Sequence, residues 1–102
     1  MIVKPYIRVK PNRSYNSSFN ATTSWGSASG GFYTITFTHS FSTNNFDFTL
    51  LKEDGDGTCY PAIRMITNNV IKLKKVDTNT FTVAVPSTPD GRFAGRLSLL
   101  TT

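Results

Sequence analysis

Phe32-Tyr33-Thr34-Ile35-Thr36-Phe37-Thr38-His39 is the stretch that decides how this chain is read. Tyr33, Ile35 and Phe37 fall on one side of an extended backbone, and Thr34, Thr36 and Thr38 fall on the other. A period of two sets one face against a core and leaves the other in water, and β-branched and aromatic residues suit that surface. Working outward, the pattern recurs. Phe46, Phe48 and Leu50 alternate with Asp47 and Thr49, and Phe81, Val83 and Val85 share a side of residues 80–85. Residues 60–66, 70–76 and 92–100 read as further strands, with Lys72 and Lys74 on one side of theirs and Gly95 as a bulge in the last. Turn signals separate these runs at intervals of roughly eight to twelve residues, the spacing of sandwiches and barrels. They include Ser29-Gly30-Gly31, Asn68-Asn69 and Asp77-Thr78-Asn79. Gly55 and Gly57, in Glu53-Asp54-Gly55-Asp56-Gly57, have the structural role of forming a hairpin turn. No segment carries a helical period, so the expected class is all-β.

The 102 residues make one domain, and eight Phe, four Tyr and one Trp supply its large buried side chains. Abundant Ser, Thr and Asn match the polar outer faces of a sandwich or barrel. No apolar run is long enough to span a bilayer, so membrane insertion is not expected. Lys4, Arg8 and Lys10 interrupt any signal-peptide core, and Cys59, the single cysteine, has no partner in the chain for a disulfide. Both features point to folding in a reducing cytoplasm. The Asn16-Ser17-Ser18 and Asn20-Ala21-Thr22 acceptor patterns then read as coincidence.

The net charge of +5 is uneven, because Lys4, Arg8, Lys10 and Arg13 all precede the first acidic residue, Asp47. Residues 2–9 read as an edge strand or arm between Pro5 and Pro11. Such a basic arm fits an acidic protein surface or a solvated edge better than specific nucleic-acid binding. Residues 12–31 are rich in Ser, Asn, Thr and Gly and resemble a linker, except that Tyr15, Phe19 and Trp25 are spaced through them. These aromatics are candidate ligand contacts for a sugar or base. The same spacing also describes rings pinning the segment to its own core, which is the favoured reading.

Chemistry is sparse. One His and one Cys do not make a zinc site, and Asp54-Gly55-Asp56-Gly57 lacks the bidentate Glu of a calcium loop, so no metal and no cofactor are expected. His39 shares parity with the apolar face and reads as a structural histidine that holds a neighbouring loop. Asp47, Asp77 and Asp90 are explained by polar strand positions and turns. No enzyme activity is expected.

From Phe19 onward the chain resembles a small β-sandwich module of tailed-phage virion proteins, in fibres, appendages and decoration proteins. The resemblance is carried by Trp25, by the strand closed at His39-Ser40-Phe41, by Phe46-Asp47-Phe48, by the Gly55/Gly57 turn and by Pro61-Ala62-Ile63. It continues through Asn79-Thr80-Phe81-Thr82-Val83 and the glycine-marked strand from Gly95 to Leu100. It implies an Ig-like antiparallel β-sandwich of about seven to eight strands. The expected organisation is an extended basic arm at residues 1–18 and the sandwich at 19–102. It further implies a bacteriophage virion structural protein made in the host cytoplasm, and the basic arm ahead of the module is then expected to bind other virion proteins through Lys4, Tyr6, Arg8, Lys10 and Arg13. The resemblance favours a trimeric homo-oligomer. A host-surface or carbohydrate-binding module using exposed aromatics such as Trp25, with a host glycan as its ligand, is the alternative. Met1 opening so short an arm suggests a small standalone protein or an excised fragment.

Overall fold

The computed structural model describes residues 12–62 and 71–102. Among them are seven strands: β1 (Ser14–Phe19), β2 (Phe32–Thr38), β3 (Phe46–Glu53), β4 (Cys59–Pro61), β5 (Lys72–Asp77), β6 (Thr80–Pro86) and β7 (Gly95–Thr101). They form two sheets, ordered β1-β7-β3-β4 and β2-β6-β5, and every pairing is antiparallel. The protein is an all-β sandwich.

Alternation in sequence becomes alternation in burial. Ile35 and Phe37 of β2, Phe81, Val83 and Val85 of β6, and Leu97 and Leu99 of β7 are buried in one hydrophobic cluster. Rings close the gap between the sheets: Phe81 of β6 meets Phe46 and Phe48 of β3 at 6.0 and 5.6 Å. Phe37 of β2 meets Phe19 and Tyr15 of β1 at 6.0 and 6.5 Å. Each fully buried side chain of this size contributes roughly 1.5–3 kcal/mol.

The strand order can be set beside the immunoglobulin arrangement, in which strands A, B, E and D face C, F and G. Taking β2 to β7 in chain order as B, C, C′, D, E and F gives the neighbours B-E-D and C′-C-F. The difference is β1. The N-terminal strand lies beside β7, where that order would place its last strand.

Three local expectations change. The linker-like stretch holds β1, so residues 14–18, read from sequence as the end of the arm, are a sheet strand. Gly95 is not a bulge: its register with Lys52 on one side and Phe19 on the other is unbroken. A Cβ there would collide with the Leu51 carbonyl oxygen, so glycine is required by close approach of β3 to β7. The register shift lies instead in β5, between Lys75 and Asp77. β4 is only three residues long, and the rest of the expected 60–66 strand falls mostly outside the described residues.

The acidic hairpin forms as its turn residues dictate. Asp54 N–H donates to the Thr58 carbonyl at 2.8 Å, and Gly57 N–H to the Asp54 carbonyl at 2.9 Å. Gly57 takes φ +88°, which a glycine adopts without strain, while Gly55 has open space around it.

Candidate association edge

Among the described residues the sandwich has four edge strands, β1, β4, β2 and β5, and they are defended unequally. An unpaired row of N–H and C=O groups invites a further strand, and proteins block it with short strands, lysines, bulges or covering loops. β4 is short. β5 carries Lys72, Lys74 and Lys75 together with its register shift. Lys75 also folds over the rim of the core: its Nζ donates to the carbonyls of Asn44 and Phe46 at 2.6 and 3.2 Å and sits 4.3 Å from the Phe46 ring. The edge of β2 is partly covered, since Gly26 N–H donates to the Thr34 carbonyl at 3.1 Å.

Among the described residues β1 has none of these devices. Its sequence, Ser-Tyr-Asn-Ser-Ser-Phe, contains no charge and no proline, and its pairing with β7 is regular over all six residues. The direction of its backbone follows from the bonds just before it. Thr101 N–H donates to the Arg13 carbonyl at 2.9 Å, so Arg13 and its alternate neighbours Tyr15, Ser17 and Phe19 bond to β7. Ser14, Asn16 and Ser18 therefore aim their N–H and C=O groups away from the sheet. Among the described residues no strand lies on that side.

Arg13, read from sequence as a partner contact, is engaged within the chain. Its backbone N–H donates to Thr101 Oγ1 at 2.7 Å, its guanidinium donates to the Phe41 carbonyl at 2.5 Å, and it stacks 5.4 Å from the Phe41 ring. Lys4, Tyr6, Arg8 and Lys10 lie outside the described residues. Of the candidate ligand aromatics, Phe19 and Trp25 are only 7 % and 6 % exposed. Phe19 packs against Trp25 and Phe93 at 5.8 and 5.4 Å, and Trp25 Nε1–H donates to the carbonyls of Asn20 and Phe93 at 3.0 and 3.2 Å. Neither ring has a face left for a sugar or a base. Tyr15 is half-buried against Phe37. These residues pin β1 and the following loop to the core.

His39 sits at the far end of β2, buried, with Nδ1 accepting from Phe41 N–H at 3.1 Å. The proton of the neutral ring is then on Nε2, which is buried and has no partner among the described residues. Burial pushes its pKa below 6.5; Asp77 opposes the shift and Arg13 adds to it. The loop it holds contains two non-glycine residues in the left-handed region, Ser40 and Ser42, and Asn79 Oδ1 accepts from Ser42 N–H at 2.7 Å.

A shallow cleft of about 510 Å³ lies between Ser18, Asn20 and Ser24 on one side and Glu53, Asp54 and Gly55 on the other. Its polar groups are largely engaged. Asn20 Oδ1 accepts from the N–H groups of Thr22 and Ser24, and Lys52 Nζ bridges Asp54 at 3.1 Å and Tyr60 Oη at 2.6 Å. Those two bonds, Tyr60's first, hold the Lys52 ammonium charged beyond its ordinary range. Asp90 and Arg92 form a local exposed pair that lowers the one pKa and raises the other. Among the described residues no three His, Cys, Asp or Glu side chains converge, and no helix is long and apolar enough to cross a membrane. Cys59 is free and exposed on the short β4 strand.

Comparison with protein-family models, with curated proteins and with solved structures found no match.

The open edge was missed in sequence because a strand of Ser and Asn has the composition of a linker. The signal that finds it is parity: Tyr15, Ser17 and Phe19 share one side and Ser14, Asn16 and Ser18 the other.

Proposed function

We propose that this chain is a structural component of a tailed-phage virion, an Ig-like sandwich that joins neighbouring subunits by association. The observation that carries association is the edge of β1, undefended among the described residues: six residues of regular strand with the Ser14, Asn16 and Ser18 backbone groups turned outward. Strand addition at such an edge supplies affinity through main-chain bonds and needs no special side chains. The virion assignment rests on the resemblance of the module running from Phe19 to Leu100. The basic residues Lys4, Arg8 and Lys10 immediately precede that edge in sequence and supply long-range attraction to an acidic neighbour.

The test removes residues 1–11 and leaves Arg13 with its bonds to Thr101 and Phe41. The shortened protein is expected to fold with an unchanged unfolding midpoint and to drop out of particles assembled from its own phage genome. Incorporation at the full-length level contradicts a role for those residues, and absence of the full-length protein from particles contradicts the virion reading.

A further inference from the structure

We propose that β1 is an exchangeable strand, which leaves the β7 edge of its own sandwich and takes the same place in a second copy of this chain. The inference goes beyond the association reading, because it concerns the bonds of β1 to β7 and not the outward edge of β1.

Three observations carry it. First, among the described residues β1 is the N-terminal strand and pairs with β7 alone, so its removal breaks one described ladder and leaves β7-β3-β4 and β2-β6-β5 intact. Second, residues 14–25 behave as one plug. Tyr15, Phe19 and Trp25 point into the core, and Trp25 fastens the loop by bonds to Asn20 within the plug and to Phe93 outside it. They pack on Phe37 and Phe93, with the buried Leu97 and Leu99 of β7 opposite Ser17 and Tyr15. An identical copy offers the same contacts, so the packing and ladder bonds that β1 gives up at home re-form on the partner.

Third, the plug is joined to β2 by a hinge. Gly26-Ser27-Ala28-Ser29-Gly30-Gly31 has no side chain larger than serine, and all six residues are exposed. Six residues span roughly 20 Å when extended. Few bonds hold the hinge closed: Gly26 N–H to Thr34, the Ser29–Phe32 bridge, and Ser87 N–H to the Gly31 carbonyl. Gly30 and Gly31 both have positive φ, at 59° and 84°, so the tight turn depends on two residues that give it up at little cost when the hinge extends. A small, exposed hinge next to a self-contained terminal strand is the arrangement from which copies exchange elements, and β1 also lies where immunoglobulin order places a strand from the opposite terminus. Reciprocal exchange closes a dimer; head-to-tail exchange closes a ring or runs on as a fibre.

The experiment is a covalent record of which β7 each β1 occupies. Asn16 and Ser98 are directly opposed on the outer face, in a pair that does not share ladder bonds. Asn16→Cys and Ser98→Cys are introduced together with Cys59→Ser, and the full chain is unfolded, refolded at graded concentrations and oxidised. A short flexible linker holds its segment at an effective concentration in the millimolar range. Refolding at micromolar concentration is therefore expected to give intrachain bonds. Refolding at about 1 mM is expected to give interchain species of comparable yield, on non-reducing gels. Deleting Ser27–Ser29 is expected to make interchain bonds dominant even at micromolar concentration. Intrachain bonds alone at every concentration of the full chain overturn the proposal, whether or not the hinge deletion folds. So does a full-length dimer whose bonds are all intrachain, because its copies then pair side by side with β1 in place. That second result leaves the association reading standing, and particle incorporation tests that reading separately.

Discussion

The edges formed by β1 and β5 are alike in length and opposite in character. Each is a six-residue antiparallel strand at the border of its sheet. β5 interrupts its register and raises lysines along itself, and Lys75 bends inward to bond the carbonyls of Asn44 and Phe46. β1 keeps perfect register, has no charge, and turns the backbone groups of Ser14, Asn16 and Ser18 to a side where no described strand lies. Arg13, the residue just before β1, is engaged by Phe41 and Thr101. Charge near an edge therefore does not define its use. What matters is where the charged group is held and whether the ladder stays regular. Among the described residues β5 carries the features that turn a further strand away, and β1 carries none of them.

The comparison breaks most completely at the platform on which β1 lies. Gly95→Val places a side chain where even a Cβ would collide with the Leu51 carbonyl. It is expected to cost about 4 kcal/mol or more, enough to leave little folded protein, as read by urea unfolding. Gly55→Ala, with open space around it, is the control and should stay within about 0.5 kcal/mol. Next in size, Phe19→Ala cuts the anchor of β1 and is expected to cost about 3–4 kcal/mol. Leu73→Ala, the inward residue of β5, is only partly buried and should cost about half as much. Equal losses at the two positions erase the distinction between a plugged strand and a guarded one.

Smaller again is Arg13→Ala, which removes the bond to Phe41 and the stacking on its ring. About 1 kcal/mol is expected, with the amide signals of Phe41 and Ser42 shifting in NMR spectra. The smallest effect is set by pH. His39 has its pKa lowered in the fold by burial, so the unfolded chain binds the proton first as pH falls. Stability is then lost as the pH drops below 6.5 toward the folded value, and none is lost above it. His39→Gln keeps an acceptor for Phe41 N–H and cannot titrate, so its stability between pH 7 and pH 5 should decline less than that of the parent.

Much of the fold was legible because large apolar residues mark a period of two. β2, β6 and the hairpin at Gly55 and Gly57 stand where their residues suggest, and His39 Nδ1 accepts from Phe41 N–H in the loop that follows. The site was much less legible. β1 has only Tyr15 and Phe19 to announce it, and Ser17 occupies the inward position between them. Trp25 reads equally well as ligand platform or pin until its indole N–H is seen bonded to Phe93. Gly95 has the sequence signature of a bulge, and only the closeness of Leu51 on another strand explains it. In each case the deciding neighbour is remote in sequence.

Amide hydrogen exchange along β1 of the full-length protein tests the account most directly. The account predicts a strict alternation in dilute solution: slow exchange at Tyr15, Ser17 and Phe19, whose N–H groups bond to β7, and fast exchange at Ser14, Asn16 and Ser18. Uniform protection across all six contradicts an open edge. Uniform rapid exchange contradicts the pairing of β1 with β7.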